Sequence, residues 1–446
     1  MSGTRGDTTK DLAINGGPKA FAGMTGKAEP KLGVEEFLSI AERFGFTPEA
    51  LARIRSAVSD DDLIGGGPNL ARYMCPFPLP PKGPQLEALA REKFGVKHAV
   101  GITSGTAAVH AAMVAVGAGP GREVICPAIG FMATSAAVAV TGATPVFCDV
   151  DESFQMDPAK IEPLVNERTV AVIPTHQWGG VCDMEPILAA ARKHGLRVVE
   201  DCAQSPGGRY RGRCVGTLGD VGCFSISAYK IIGGGEGGLV LTDDERLFDR
   251  VRQLAECGGL WRPDRFAPPR YEGELFAGTN YRMSELEAAV DLVQLEKLDG
   301  VVARYHDVFT RVAGRLNGFG EIVPRRVTDA AGWIGYELRF YPATCELGRR
   351  IADALAAEGI DCGTRGPDGP PDWHVYYHMY PVILDAAAGR RWRRGDCPVA
   401  DDLYDRSVVV RLNQWYSQRD CDAVAAGINK VLSAYCTPDE NARPWI

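Results

Sequence analysis

The pattern of apolar and polar positions changes near residue 98. From there, short apolar runs of strand length alternate with helical segments. Seven runs are predicted to be strands, at residues 99–103, 123–127, 144–150, 170–176, 197–201, 222–227 and 238–242. Strands that alternate with helices are typical of a mainly parallel sheet covered by helices on both faces. We therefore predict an α/β fold whose large domain, with a seven-stranded sheet, spans about residues 95–300.

Helical spacing dominates before this region and at its end. Helices are predicted at residues 34–57, 85–94, 280–298 and 302–316. The C-terminal part shows a strand-like run at 336–341 and helical runs at 347–358 and 421–435. We therefore predict an N-terminal arm at 1–25 and a smaller α+β domain built from 26–94 and 301–446.

Composition narrows the class of protein. A length of 446 residues with 45% hydrophobic and 24% charged residues is typical of a globular protein of about two domains. The net charge of −8, without a basic block, argues against a nucleic-acid partner. No apolar run approaches 18 residues and the N-terminus is polar, so neither a membrane span nor a signal segment is expected. The thirteen cysteines are scattered without a C-x-x-C, which favours reduced thiols in the cytoplasm.

Polar residues follow two neighbouring apolar runs where each run ends. Asp201 and Gln204 follow the run at 197–201, and Ser225 and Lys230 end or follow the next. In an open α/β sheet, ligands bind at the carboxyl ends of the strands. The set fits pyridoxal 5′-phosphate (PLP), which needs an acid facing its ring nitrogen, a hydroxyl near its phosphate and a lysine for a Schiff base. The glycine run at 233–238 would let the backbone approach the cofactor closely.

A third segment fits the phosphate of the same cofactor. Ser104, Gly105 and Thr106 stand where the strand at 99–103 breaks into a helix. Free backbone N–H groups at a helix start favour a phosphate. The alternative is that Ser104 or Thr106 is only an N-cap.

Other kinds of site are less well supported. The glycine run contains a formal G-x-G-x-x-G, but it follows Lys230 rather than directly following a strand, which argues against a dinucleotide site. His374 and His378 are four residues apart without a third ligand nearby, so no metal is expected. A G-x-S-x-G motif is absent, which argues against a serine hydrolase.

The order D-x-A-Q, F-S-x-x-x-x-K and G-E-G-G resembles the DegT/StrS family of fold-type I PLP enzymes, the sugar and cyclitol aminotransferases. The resemblance implies that Lys230 forms the Schiff base and moves protons, and that Asp201 faces the ring nitrogen. It also implies that Gln204 binds the ring's phenolic oxygen. Ser225 and the segment Ser104-Gly105-Thr106 would hold the phosphate. The cofactor would alternate between PLP and pyridoxamine phosphate.

Two further segments resemble family motifs. Phe131 takes the place of an aromatic that lies flat on the pyridine ring, although a core phenylalanine is the alternative. Asn280, in G-x-N-x-R-M-S-E, matches an asparagine that reaches the phosphate of the other subunit in a homodimer with shared active sites. Locally, Asn280 would also suit the N-cap of the following helix.

The segments that shape the substrate pocket depart from the family pattern. His176 and Trp178 stand in a variant of the family's V-H-L-Y-G and are candidates for substrate contact, with core packing as the alternative. Tyr336 stands where relatives carry W-H-L, and His374 lies in a segment that replaces H-Y-P-P-L-H. Tyr336 and His374 are further substrate candidates.

The resemblance implies amino transfer from an amino acid, L-glutamate or L-glutamine, to the carbonyl of a keto-sugar or cyclitol. Such a reaction belongs to aminosugar, aminocyclitol or other natural-product biosynthesis, including that of antibiotics. The first alternative is a PLP-dependent sugar dehydratase or lyase of the same family, whose members carry His in place of Lys230. The second is a non-catalytic PLP-fold protein, which would be expected to have lost one of Asp201, Gln204, Ser225 and Lys230.

Overall fold

The computed structural model describes residues 8–21, 23, 30–64, 70, 79–259, 262–379 and 392–446. The chain forms two compact units, Met1–Pro80 and Pro81–Ile446. In the first unit, the helical region predicted at 34–57 is two helices, α1 (Val34–Arg43) and α2 (Pro48–Ala57). The break occurs because Thr47 caps α2 and Pro48 takes its first position. A proline is tolerated there because the backbone N–H at that position makes no hydrogen bond within the helix.

The second unit contains the predicted seven-stranded sheet. Its strands are β1 (His98–Ile102), β2 (Glu123–Pro127), β3 (Thr144–Cys148), β4 (Thr169–Val172), β5 (Arg197–Asp201), β6 (Val221–Ser225) and β7 (Gly238–Thr242). Their order is β1-β7-β6-β5-β4-β2-β3, and β7 alone runs antiparallel to its neighbours β1 and β6. The α/β fold with a mostly parallel sheet is confirmed. Because the other six strands run the same way, their carboxyl ends lie at one edge.

Helices cover both faces of this sheet. They are α3 (Lys82–Phe94), α4 (Gly105–Ala115), α5 (Ala133–Ala139), α6 (Met184–His194), α7 (Glu245–Ala255) and α8 (Glu285–Ala313). Successive strand residues point to opposite faces, so Val199 packs with α4 and α7 whereas Val198 packs with α3, α6 and α8. Leu86 and Phe94 of α3 lie in the core of this sheet, so residues 82–94 pack with the large domain rather than with the small one.

Helix α8 differs from the sequence-based expectation at its start and its end. Ser284, not Asn280, is its N-cap: the Ser284 hydroxyl accepts from the Glu287 N–H at 3.2 Å, and the Glu287 carboxylate accepts from the Ser284 N–H. The capping box outcompetes Asn280 because it satisfies donors at both positions. The two helices predicted at 280–298 and 302–316 are one, and Gly300 does not interrupt it.

A second, antiparallel sheet follows α8. Its strands, in the order β8-β9-β11-β10, are β8 (Ile322–Pro324), β9 (Glu337–Pro342), β10 (Cys362–Thr364) and β11 (Val408–Arg411). The remaining helices are α9 (Cys345–Ala357), α10 (Pro398–Arg406) and α11 (Gln418–Tyr435). Leu338 and Phe340 of β9 point into the core of this sheet, whereas Glu337 and Arg339 point to its other face. Among the described residues, no helix is long and apolar enough to cross a membrane.

Candidate active site

The sheet brings together polar residues that are far apart in the sequence. Asp201 ends β5, Ser225 ends the neighbouring strand β6, and Ser104 follows β1. Lys230 follows Ser225 by five residues, and its backbone N–H donates to the Ser227 carbonyl at 2.9 Å. The parallel strand order therefore gathers these predicted cofactor residues, the strand-end cluster, at one edge of the sheet.

Asp201 is held rigidly in this cluster. It is 5% exposed, and its Oδ2 accepts a hydrogen bond from the Thr134 hydroxyl at 2.6 Å. Its Oδ1 accepts from the Ala203 N–H at 3.0 Å. Each oxygen has a second lone pair, so the carboxylate can accept one more donor such as a protonated ring nitrogen. Thr134, to which the sequence reasoning gave no role, therefore helps to orient Asp201.

The start of α4 and the end of β6 form a narrow cradle. A Cβ added at Gly105 would lie 2.6 Å from the Ser225 Cβ, so only glycine allows this approach. The Ser104 hydroxyl accepts from the Ala107 N–H at 3.1 Å, which makes Ser104 the N-cap of α4. Thr106 is exposed on the first turn. A phosphate would meet the free N–H groups of the helix start beside the Ser225 hydroxyl.

Lys230 and Gln204 line a cavity of about 750 Å³. Burial lowers the pKa of the Lys230 amine, and the charge of Asp201 opposes that shift, so the two side chains interact electrostatically. A lowered pKa raises the share of neutral amine, the form that can act as a nucleophile or a base. The Gln204 Oε1 accepts from the Trp178 N–H at 3.0 Å, which leaves the Nε2 group of Gln204 as a donor.

The opposite side of the cavity is formed by the second sheet and its loops. Its members, the second-sheet wall, are Tyr336, Glu337, Arg339, Thr364, Arg365, Asp372, His374, Tyr404, Ser407 and Arg411. Burial raises the pKa of the Tyr336 phenol well above its usual value, so Tyr336 remains a hydrogen-bond donor at neutral pH. His374 Nδ1 lies 2.8 Å from the Asp372 Oδ1. The sequence reasoning named Tyr336 and His374 but missed the charged members of this wall.

Trp178, another predicted substrate residue, also lines the cavity. Its ring centroid lies 5.5 Å from that of His374 and 5.4 Å from that of Phe154. The next ring along is Phe131, whose centroid lies 5.3 Å from that of His374. Phe131 is 41% exposed rather than part of the core, as a ring that stacks on a cofactor requires.

His176 is placed differently from the prediction that it contacts substrate. It is 0% exposed, its Nδ1 accepts from the Cys182 N–H at 3.0 Å, and its Nε2 lies 3.2 Å from the Glu200 Oε2. Core packing, the alternative, therefore describes His176, because an enclosed ring with both nitrogens engaged cannot reach a ligand.

His176 also belongs to the group of potential metal ligands found among the described residues, together with Glu200 and Cys202. The Glu200 Oε1 accepts from the N–H groups of Leu218 and Gly219, each at 2.7 Å. Its Oε2 accepts from the Gly216 N–H at 2.8 Å and also faces His176. Because these hydrogen bonds occupy the carboxylate, Glu200 acts as a structural acceptor.

Asn280 lies outside the lining of the cavity. It is exposed, and its Oδ1 accepts from the Arg282 N–H at 3.3 Å.

The glycine segment after Lys230 packs against an unusual acid of α8. Asp291 is 0% exposed, and neither of its oxygens has a hydrogen-bond partner among the described residues. A Cβ added at Gly237 would lie 2.0 Å from the Asp291 Oδ2, so glycine is required at this contact. Burial, with a smaller effect from the charge of Glu287, raises the pKa of Asp291 to about 8.

The residues present fit PLP. Asp201 has free acceptor capacity, Lys230 lines the cavity with a lowered pKa, and Gly105 lets the start of α4 lie close to the Ser225 side chain. Asp201 suits the ring nitrogen of the cofactor, Lys230 suits its carbonyl carbon, and the cradle of Gly105 and Ser225 suits its phosphate.

Comparisons with known proteins agree with this site. The model of the DegT/DnrJ/EryC1/StrS aminotransferase family matches residues 80–429. A GDP-perosamine synthase of Caulobacter vibrioides is 35% identical over 76% of this chain and 86% of its own length. A UDP-N-acetyl-3-dehydro-alpha-D-glucosamine 3-aminotransferase of Acidithiobacillus ferrooxidans is 35% identical over 80% of this chain and 90% of its own.

A solved structure extends the likeness to three dimensions. S. venezuelae DesV, in complex with a ketimine intermediate, is 29% identical and has a TM-score of 0.67. The match covers 79% of this chain and 89% of that one.

Proposed function

We propose that this chain, which belongs to the DegT/DnrJ/EryC1/StrS aminotransferase family, moves an amino group from L-glutamate or L-glutamine to the carbonyl of a sugar or cyclitol. The chain is a PLP-dependent aminotransferase, and it therefore takes an amino donor and a carbonyl acceptor. The names of two relatives, both enzymes of amino-sugar formation, support a sugar-like acceptor. An enzyme with this activity takes part in aminosugar, aminocyclitol or related natural-product biosynthesis.

When bound, PLP supplies the carbonyl that receives the amino group and a ring that stabilises negative charge at the substrate carbon. The Asp201 carboxylate, fixed by Thr134 and Ala203, would stabilise the proton on the ring nitrogen. The Lys230 amine, with its lowered pKa, would take a proton from the substrate carbon and return it two bonds away, at the carbon on the other side of the nitrogen. The Gln204 Nε2 group would donate to the phenolic oxygen of the ring.

The Ser225 hydroxyl and the start of α4 at Ser104-Gly105-Thr106 would hold the phosphate. Phe131 would cover the face of the ring. The second-sheet wall, opposite Lys230, orients the carbonyl acceptor and excludes water from it. The cavity is thus divided between a cofactor end and a substrate end.

We also propose that the enzyme is a homodimer with shared active sites. Asn280 is exposed and outside its own subunit's cavity, as expected of a residue that reaches the phosphate in the partner subunit. The described cysteines are all free, which supports the cytoplasm as its location.

One observation carries the proposal: Lys230 lines the cavity with a pKa lowered by burial and opposed by the charge of Asp201. The test follows the two half-reactions by absorbance. Glutamate or glutamine should convert bound PLP to pyridoxamine phosphate, and a keto-sugar or keto-cyclitol should then restore PLP.

The same measurement separates the alternatives. A dehydratase would release water from a sugar without lasting conversion of PLP by amino donors, and a non-catalytic protein would show neither change. Absence of the first conversion with any of a panel of amino donors would contradict the aminotransferase assignment. An assay with free PLP and no protein sets the background.

A further inference from the structure

The most unusual chemistry outside the strand-end cluster is a buried group of three charges, two of which belong to the second-sheet wall. Arg325, Glu337 and Arg339 are 5%, 6% and 8% exposed. The Glu337 carboxylate receives Arg339 in a two-pronged contact, from Nε at 2.8 Å and from Nη2 at 3.2 Å. Its Oε1 also lies 3.4 Å from Arg325 Nη1. Two guanidinium groups thus share one carboxylate, and the buried triad carries a formal charge of +1.

The two arginines are used differently. Arg325 donates to the carbonyls of Ser153 and Gln177, each at 2.7 Å, and does not line the cavity. Arg339 lines the cavity and gives its remaining bond from Nη1 to the Ser407 hydroxyl at 3.1 Å. A guanidinium has five N–H donors, so one N–H on each terminal nitrogen of Arg339 is left for a ligand.

Aromatic rings restrict how a ligand can meet Arg339. The guanidinium carbon of Arg339 lies 4.6 Å from the Trp178 ring centroid and 4.7 Å from the Phe154 ring centroid. The two ring centroids are only 5.4 Å apart, so both rings lie on the same side of the guanidinium, whose free N–H groups point outward along its edge. A planar carboxylate fits that edge because its two oxygens match the two terminal nitrogens.

The other charges of the wall are already balanced. Arg365 lies 2.9 Å from Asp372, and Arg411 lies 2.7 Å from Asp361. The excess positive charge therefore belongs to the triad. An unbalanced charge of this kind is costly in a poorly hydrated site, and a monoanion would offset it, whereas a dianion would leave an excess of negative charge.

The position of Arg339 indicates which end of a substrate it meets. A chain of contacts leads from Phe131 to Arg339. The ring centroids of Phe131 and His374 are 5.3 Å apart, and those of His374 and Trp178 are 5.5 Å apart. The Arg339 guanidinium carbon then lies 4.6 Å from the Trp178 centroid. Phe131 is the residue expected at the cofactor ring, so Arg339 lies beyond two aromatic side chains from it. A donor's α-carboxylate must lie beside the reacting carbon, and Arg339 is therefore suited to a group at the far end of the acceptor.

We propose that Arg339, held by Glu337, forms a carboxylate-binding subsite, and that the carbonyl acceptor of this enzyme carries a carboxylate at the end away from its ketone. The inference rests on the proposed function for the identity of the reacting site. It adds a specificity-determining residue and narrows the acceptor to acidic cyclic ketones.

The test measures binding to the PLP-loaded enzyme, which has no amino group to transfer, by calorimetry. The probes are 3-oxocyclohexane-1-carboxylate and its uncharged amide, 3-oxocyclohexane-1-carboxamide. Wild type should bind the carboxylate about tenfold tighter than the amide. Arg339→Gln should abolish that preference, and Arg339→Lys should keep part of it.

Glu337→Gln distinguishes recognition from a merely structural role. It removes one of the two oxygens that accept from Arg339 and raises the local charge, so the preference for the carboxylate should be kept or increased. A structural role predicts loss in both Glu337→Gln and Arg339→Gln. Arg326→Gln is the matched control, because Arg326 is the neighbour of Arg325, pairs with Asp151 and does not line the cavity. If Arg339→Gln does not fold, the wild-type and Glu337→Gln preferences decide.

Three results would overturn the proposal. These are equal binding of the two probes to wild type, a preference that survives in Arg339→Gln, and displacement of the carboxylate probe by inorganic phosphate or uridine diphosphate at lower concentration than by 3-oxocyclohexane-1-carboxylate itself. Glutamate conversion of PLP to pyridoxamine phosphate is measured on every variant. If wild type does not convert PLP with glutamate, the proposed function is contradicted. If it converts PLP but shows no preference for the carboxylate probe, only the subsite is contradicted.

Discussion

The two ends of the cavity are built in different ways. The strand-end cluster takes each member from the end of a strand or the turn after it: parallel strand order brings Asp201 and Ser225 to the same edge of the sheet, and Lys230 lies in the loop after β6. The second-sheet wall takes its charges from β9, β11 and loops, and its members are fixed by ion pairs such as Glu337–Arg339. Cofactor chemistry thus rests on topology, and substrate chemistry rests on side-chain networks that can change without disturbing the sheet.

The largest effect should come from Lys230→Ala, which removes the amine that both half-reactions need. We expect activity to fall to background in each of them. Borohydride treatment of the wild-type holoenzyme should fix the cofactor on Lys230, and peptide mapping would identify the position. Lys160→Ala, at an exposed lysine, is the control. A pyridoxyl group on another lysine would break the assignment of the cofactor end.

Asp201→Asn should retain the cofactor and lose about a hundredfold in turnover, because the amide no longer stabilises the protonated ring nitrogen. Thr134→Val removes only the 2.6 Å hydrogen bond to Asp201, so a loss of about tenfold is expected. Turnover and bound cofactor are measured for both. Near-normal turnover in Asp201→Asn would mean that Asp201 is structural, and equal losses would mean that Thr134 does more than hold it.

A mixture of two inactive variants tests whether the cofactor end is shared between subunits. Lys230→Ala and Asn280→Asp are unfolded together, refolded with PLP and assayed. If Asn280 serves the partner subunit, a mixed dimer has one site with both changes and one intact site. Random pairing makes about half of the dimers mixed, so about a quarter of wild-type activity should return. Activity no higher than that of the parents, with wild type refolding well in parallel, would contradict shared sites.

Tyr336→Phe should affect only the substrate end. It removes the hydroxyl of a half-buried donor without changing the shape of the ring, and we expect a severalfold rise in the KM for the acceptor. The first half-reaction, with the amino donor, should be unchanged. A slower first half-reaction would show that the wall also acts on the donor, and the division between the two ends would fail.

The smallest expected effect concerns Asp291. Its pKa is about 8 in the fold and about 3.9 in an unfolded chain, so ionisation is disfavoured only in the fold. The free energy of unfolding should therefore fall as the pH rises from about 4 to 8, and the loss should be complete above that range. Asp291→Asn should reduce the difference between pH 5 and pH 8 by roughly 1–3 kcal/mol. Urea unfolding at several pH values measures it, and an unchanged pH slope would contradict the assignment.

The sequence predicted the sheet well because its strands depend on local signals, and the same signals mark the strand ends where the predicted cofactor residues lie. Each apolar run ends in a recognisable polar residue, and parallel topology determines where those ends lie. It failed for His176, because the partner of its Nε2, Glu200, lies 24 residues further along the chain in β5. It also missed Arg339: alternation in the predicted strand at 336–341 places Glu337 and Arg339 on one face, but nothing local indicates that this face lines a cavity.

Helix α8 has a consequence for how the molecule unfolds. Its 29 residues, roughly 43 Å of helix, begin in the core of the first sheet with Leu292 and Leu295 and end in that of the second with Val308 and Val312. Neither core can lose this helix without exposing apolar surface that the other needs covered. The two sheets should therefore exchange their slowest amide hydrogens at a common rate, as a single cooperative unit.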